Sequence, residues 1–276
     1  MTGGGPARSD VLQTVGATAS VRSASAKDIR VAPIEKRDAD ALVKRVHYSG
    51  KFVRNSQLSL GVFLNGRLEG AMQFGPSLDK SNVVGLVRDT GWNAFLELNR
   101  MAFSDVLPRN SESRALGIAL RMIRKAYPHI EWVVSFADAC QCGDGTIYRA
   151  SGFVLTKIKV NKDVLRFADG TIGHKMSQVT GKDRFDHFQK NGGLWSSAGE
   201  PLPGFMLRYI YFLNPAARAR LTVAEVPFSE IASRGAGMYK GEPIVRGKQA
   251  AAGHPPERRC GSGNPHAPIG STGVKP

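Results

Sequence analysis

The dipeptide Asn65-Gly66 is the strongest local constraint in this chain. It separates two apolar runs, Leu58-Ser-Leu-Gly-Val-Phe-Leu64 and Leu68 to Phe74. Asn-Gly supplies both positive-φ positions of a type I′ turn, whose twist matches that of two paired strands, so the segment reads as a β-hairpin. Before it, Ala32 to Val46 reads as a helix after a short strand, with Leu42, Val43 and Val46 on its apolar face. After it come a strand at Ala94 to Ser104, a polar loop at Asp105 to Ser113 and a helix at Arg114 to Ala126, ended by Tyr127-Pro128. Glu131 to Ala137 is then a buried strand, Asp144 to Ala150 a short helix and Phe153 to Val160 a further strand. That order predicts an α/β fold, a mixed sheet with helices on both faces.

A second block spans Lys182 to Tyr239, and its β-prone run Phe205 to Leu213 is expected to add a strand or hairpin to the same core. A separate small domain is the alternative. The folded unit is expected over residues 28–241. Residues 1–27 and 242–276 are rich in small and polar residues and hold few large apolar ones, and they are expected to form a disordered leader and a disordered basic tail.

Charge narrows the partner. The chain carries a formal +15, of which residues 1–27 hold +2 and residues 242–276 hold +3, leaving +10 on the expected domain. Such a surface favours a polyanion, because neutralising phosphates releases condensed counterions. A generically basic, soluble surface is the alternative. The apolar runs, such as Trp132 to Phe136, are too short to span a bilayer, and the start Met1-Thr2-Gly3-Gly4-Gly5-Pro6 lacks the pattern of a secretory signal. No membrane partner and a cytoplasmic location are therefore expected. The three cysteines Cys140, Cys142 and Cys260 cannot make a disulfide framework.

Several polar residues stand where chemistry is done. His47 and Tyr48 follow a helix and precede Gly50, on a loop where side chains reach a substrate. A histidine there can accept a proton near neutral pH, and a tyrosine can donate a hydrogen bond or stack on a base; His47 can equally be a helix-terminal cap. Asp138 comes just after an apolar strand, at the sheet edge where ligand sites gather. It can take a proton from an amine, or be a turn aspartate. Glu97 and Arg100 lie on the preceding strand, where strict alternation puts Glu97 with Asn99 and Leu98 with Arg100 on opposite faces. Arg100 can meet an anionic cofactor or phosphate, or form a buried ion pair. His47, Asp138, Cys140 and Cys142 are all metal-ligand types, yet one Cys-x-Cys without a second cluster does not define a zinc site, so no metal ligand is assigned.

Glu97 to Phe153 resembles the central motif of the GCN5-related acetyltransferase fold, in which backbone N–H groups at a helix start hold a cofactor pyrophosphate. Pro108-Arg-Asn-Ser-Glu-Ser-Arg-Ala-Leu-Gly117 occupies that place, with Ser113, Arg114 and Gly117 as the counterparts, loosely matched, of the family's binding loop, and Arg100 on the strand before it. Tyr148-Arg-Ala-Ser-Gly152-Phe153 matches the position at which the family's tyrosine protonates the departing thiolate. A wider set of motifs resembles the Mom family of phage DNA-modification proteins over about residues 40–241. The set comprises Val46-His-Tyr-Ser-Gly50, Gly70 to Pro76, Glu97-Leu-Asn-Arg100, Ser135-Phe-Ala-Asp138, Leu207 to Phe212 and Gly235 to Lys240.

The resemblance implies a transferase that converts adenine N6 in double-stranded DNA to N6-carbamoylmethyladenine and so blocks host restriction enzymes. It implies His47, Tyr48, Asp138 and Tyr148 as catalytic residues. The donor is left open between acetyl-coenzyme A or another acyl-coenzyme A and an activated glycine, for which a charged RNA would suit the basic surface. A glycyl group placed on N6 would yield the carbamoylmethyl product if its amine then displaced the amide at C6. An iron centre is a further option, for which the sequence names no ligands. The alternative function is a non-catalytic DNA-binding protein on an acetyltransferase-like scaffold.

Overall fold

The computed structural model describes residues 24–167, 170–174, 199–239 and 242–244. The expected leader to residue 23, and all of the expected tail except residues 242–244, lie outside these, as do residues 182–198 of the second block. Strand β1 is Arg30–Pro33 and helix α1 is Lys36–Val46. The expected helix start at Ala32 moves to Lys36, because Ala32 and Pro33 pair with Gly61 and Leu60 of β2 (Leu58–Leu64). The hairpin forms as read: β2 and β3 (Arg67–Gly75) are antiparallel, and Asn65 and Gly66 take φ values of 51° and 78°.

A short helix α2 (Lys80–Val84) precedes β4 (Phe95–Phe103). Helix α3 is Ser111–Ala126, three residues longer at its start than the polar pattern suggests, because Asn110 turns the chain at φ 68°. Strand β5 runs Trp132–Ala139, so Asp138 lies within the strand rather than after it. Helix α4 is Thr146–Ala150 and β6 is Val154–Val160. Strands β7 (Val164–Phe167), β8 (Ile172–His174) and β9 (Gly199–Pro201) make a small second sheet. Asn161, buried, joins it to the end of β6: its amide donates to the Val164 and Leu202 carbonyls at 2.8 Å each, and its oxygen accepts from the Val164 amide at 2.9 Å.

The main sheet has the order β1-β2-β3-β4-β5-β10-β6, with β10 at Phe205–Phe212. The β-prone run is therefore a strand of the main sheet, antiparallel to both β5 and β6. Its insertion explains why β5 continues to Ala139, which pairs with Phe205. The helices divide between the faces. Leu116, Leu120 and Ile123 of α3 pack on the face that carries Met72, Leu98, Val133, Leu207 and Tyr209. On the other face α1 covers Ala71, and Val83 of α2 joins Phe95, Trp132, Val134 and Ile210. Each fully buried Leu, Ile or Val there contributes about 1.5–3 kcal/mol by transfer.

The feature that positions the site is a fork in the sheet. β4 and β5 are parallel neighbours only over Phe95–Glu97 with Trp132–Val134. Beyond that the strands part, and the Ser135 hydroxyl still reaches the Leu98 carbonyl at 3.5 Å. A β-bulge in β4 follows at once: Phe74 pairs with Leu98 and Gln73 with Arg100, leaving Asn99 as the extra residue. A bulge bends its strand and shifts the side-chain alternation by one. Leu96 and Leu98 therefore pack with the α3 face before it, and Met101 and Phe103 after it. Arg100 thus shares the face of Glu97, which corrects the assignment drawn from strict alternation.

Candidate active site

The fork lets residues from both faces of the sheet meet. From the α1 face comes the loop after that helix. His47 is the C-cap of α1, its backbone N–H donating to the Val43 carbonyl. Its Nδ1 accepts the Ser49 N–H at 3.1 Å and lies 2.8 Å from the Ser49 hydroxyl. An Nδ1 used as an acceptor leaves the ring proton on Nε2. Burial, and then the nearby Arg100 cation, lower the His47 pKa to about 3. The cap role and a place in the site coincide in this residue, as a neutral imidazole that offers an N–H donor.

The His47 and Tyr48 rings lie 4.3 Å apart. Tyr48 keeps 43% of its surface exposed, while its hydroxyl turns inward and donates to Asp138 Oδ2 at 3.2 Å. Burial of that end, then the neighbouring Asp138 and Cys142, push its pKa well up against the opposing pull of Arg100. Asp138 serves two purposes. Its Oδ1 accepts the Cys140 N–H at 2.9 Å, closing the turn after β5, while Oδ2 accepts from Gln141 at 2.8 Å as well as from Tyr48.

Tyr148 arrives from α4 on the opposite face. Its ring packs against Phe153 and Tyr209 at 5.4 and 5.2 Å. Burial raises its pKa to about 12, a hydrogen bond with Ser135 pulls the other way, and Cys142, Glu97 and Arg100 are near enough to act on its charge. It is a neutral O–H donor in the fork. His47, Tyr48 and Asp138 thus touch in succession, and Tyr148, from the other face, shares with Tyr48 the neighbouring Arg100 and Cys142.

Arg100 belongs to the same group. Its Nε donates to the Lys51 carbonyl at 3.1 Å and one terminal nitrogen donates to the Asn99 carbonyl at 3.0 Å, which ties the loop after α1 to β4. Ser113, Arg114 and Gly117 lie elsewhere, on the first two turns of α3. The Ser113 carbonyl accepts the Ser151 hydroxyl at 3.4 Å, which sets this helix start against the end of α4. The four residues expected at a cofactor therefore divide into an arginine at the fork and three residues at a helix start.

Glu97 is the residue that sequence reasoning undervalued. It faces the fork with its pKa raised by burial, opposed by hydrogen bonds with Ser77 and Asn99 and by the charge of Arg100. A lone acid between two leucines, in a strand that also holds Asn99 and Arg100, was the available signal. Ser77 and Gln141 carried no such signal, since their roles depend on the loops that bring them in.

A profile of the Mom protein family matches residues 28–230. A methylcarbamoylase Mom of Escherichia phage Mu is 37% identical over 202 residues, covering 71% of this chain and 80% of that protein. The chain belongs to the Mom protein family. The matched span contains every residue of the fork described above. Among solved structures, Arabidopsis thaliana NAA60 in complex with a bisubstrate analogue is similar with a TM-score of 0.43 and 10% identity, over 67% of this chain and 97% of that one. The ribosomal-protein-S18-alanine N-acetyltransferase from Escherichia coli is similar with a TM-score of 0.38 and 12% identity, over 67% and 94% of the two chains.

An iron centre and a phosphate-bearing donor make different demands on the residues present. Among the described residues no three His, Cys, Asp or Glu side chains stand together as a metal-binding set, so the donor set for an iron centre is lacking there. The start of α3 does suit a phosphate-bearing donor. Its first turn presents backbone N–H groups, the Ser111 hydroxyl is buried without a hydrogen-bond partner, and a Cβ on Gly117 would meet nothing nearer than Arg121 at 3.7 Å. No helix among the described residues is long and apolar enough to cross a membrane.

Proposed function

We propose that this Mom-family chain is a DNA-modifying transferase that acts on the N6 amine of adenine in double-stranded DNA, in the cytoplasm where phage DNA resides, and leaves the carbamoylmethyl group there. The observation that carries this is the meeting, at the fork, of a Tyr48–Asp138 pair from one face with a neutral Tyr148 hydroxyl from the other. Transfer to an amine needs both: an acceptor for the proton the nucleophile loses and a donor for the leaving group.

A donor bound at the start of α3 by Ser113, Arg114, Gly117 and the helix N–H groups would supply the activated carbonyl of a glycyl group. Its transfer to N6 gives the glycyl amide and frees the carrier, and the glycyl amine then attacks C6 and displaces the amide nitrogen, which leaves the carbamoylmethylamine. Coenzyme A thioesters and charged RNAs both carry the phosphates such a helix start favours. Asp138 then receives the amine proton. Tyr48, exposed on one side and anchored on the other, stacks on the extruded adenine and orients it. The neutral Nε2–H of His47 and the Arg100 guanidinium meet developing negative charge on oxygen. Tyr148, whose high pKa keeps its proton in place, delivers it to the departing group.

Nucleoside mass analysis of plasmid DNA from cells producing the full chain tests the function. An adenine adduct heavier by the carbamoylmethyl increment is expected. DNA that is bound by the protein yet unmodified in these cells would favour the binding-protein alternative.

A further inference from the structure

An adenine swung out of its stack leaves a gap that closes again unless something fills it. Among the described residues Leu78 is the most exposed large apolar side chain, with 85% of its surface open. A single exposed leucine is ordinary in itself. Its setting is not. The preceding residue, Ser77, is buried and hydrogen-bonds Glu97 at the fork, so Leu78 starts one Cα step, about 3.8 Å, from a residue of the site.

The backbone around Leu78 is held on both sides. The Pro76 carbonyl accepts the Asn55 amide at 2.7 Å and the Asn99 amide at 3.5 Å, while the Asp79 carbonyl accepts the Val83 N–H at 3.0 Å as α2 begins. The Asn55 bond also ties this loop to the one after α1. The end of α1 and that second loop together hold Lys44, Arg45, Lys51 and Arg54 within eleven residues that contain no acid, all four exposed. Its Phe52, exposed too, lies under the Lys36 and Lys44 ammonium groups at 5.2 and 4.8 Å. On the other side of Leu78, Lys80 sits 4.6 Å from the ring centre of the exposed Trp92. A fixed apolar projection with a cationic segment on one side and Lys80 on the other, one residue from the fork, is an arrangement by which proteins wedge a base step apart while gripping phosphates.

Resting on the DNA-modification reading above, we propose that Leu78 is a wedge that enters the duplex and fills the stack position vacated by the target adenine. The exposed leucine would then act on pair opening alone, and its value would vanish where no pair has to be opened.

The test compares full-length wild-type protein with Leu78→Ala in clarified bacterial extract, which supplies the cell's acyl-coenzyme A and charged-RNA donors, on two oligonucleotide duplexes, one with the target adenine opposite thymine and one with it opposite an abasic site. The variant should lose about 10-fold or more in kcat/KM on the paired duplex, and less than about 2-fold on the abasic one. Leu78→Met, which restores an apolar projection, should recover the paired activity. With 2-aminopurine at the target position, the fluorescence rise on binding wild-type protein should be largely absent with Leu78→Ala. Wild-type rates for Leu78→Ala on the paired duplex would overturn the wedge, as would equal losses on both duplexes. Failure of the wild-type protein to modify either duplex would instead overturn the DNA-modification reading on which the wedge depends.

Discussion

Tyr148 and His47 show how the fold sets the working state of a single group. Burial holds the Tyr148 proton at a pKa of about 12, and the hydroxyl is the part of the residue that the proposed chemistry uses. Tyr148→Phe keeps the ring packed on Phe153 and Tyr209, so the melting temperature should change little while DNA modification falls by about 10²-fold, the scale of a lost general acid. Unchanged modified adenine in the Phe variant would reduce Tyr148 to a core residue. Asp138→Ala should also abolish modification, but it opens the turn at Cys140 as well, so Tyr148→Phe is the cleaner of the two. For His47 the folded pKa of about 3 lies below the ordinary 6.5. Between those values the unfolded chain binds a proton that the native chain refuses. Stability should therefore fall as the pH drops from 6.5 towards 3, and His47 should add no slope above 6.5. Melting curves of His47→Gln should show a shallower acid-side decline than wild type; identical declines would mean that the buried imidazole is not the cause.

Among the elements, α4 is the one whose placement matters most, because it carries Tyr148. It is mounted on β10. The Tyr209 hydroxyl donates to the Asp144 carbonyl, and the Asp144 carboxylate accepts from Arg149 and Thr146 at 3.0 Å each. Gly145 makes the approach feasible: its φ is 87°, and a Cβ there would lie 2.4 Å from a carbon of the buried Tyr209 ring. Gly145→Ala combines a left-handed backbone with an overpacked core. It should cost about 2 kcal/mol or more, read as a lower urea midpoint, and should lower modification by shifting Tyr148. A midpoint equal to wild type would mean that β10 does not fix the helix. The Gly61 and Gly70 positions of the hairpin are also tight, with Cβ contacts of 2.7 and 2.6 Å, but those fall on the side chains of Ile34, Leu68 and Phe103, none of which belongs to the fork.

For the molecule as a whole, charge and its distribution should govern how DNA is met. The +10 left between the two ends sits partly on the loop after α1, beside the opening of the fork. Affinity for DNA of unrelated sequence should fall steeply with salt, with a log–log slope of about −0.9 for each phosphate neutralised. Arg54→Ala should make that slope shallower by about 1 on every sequence tested. A binding constant indifferent to salt would remove phosphates as the partner of this face.

The sequence alone determined the parts whose causes are local. Asn65-Gly66 fixed a hairpin because the turn chemistry admits few other conformations, and the 3.6-residue and two-residue apolar periods located α1, α3, β5 and β6 to within a few residues. The motifs around His47, Asp138 and Tyr148 were legible for the same reason: each is a short contiguous string. The tertiary structure decided what depends on neighbours distant in the chain. Phe205 to Leu213 was visible as a strand, but only pairing with β5 and β6 placed it inside the main sheet, lengthened β5 through Asp138 and gave α4 its seat on Tyr209. The bulge at Asn99, which brings Arg100 onto the face of Glu97, appears only when β4 is laid against β3, because alternation along one strand carries no information about a residue its partner does not match. The fork itself follows from β4 and β5 pairing for three residues and then parting, which lets side chains from both faces of the sheet approach one another.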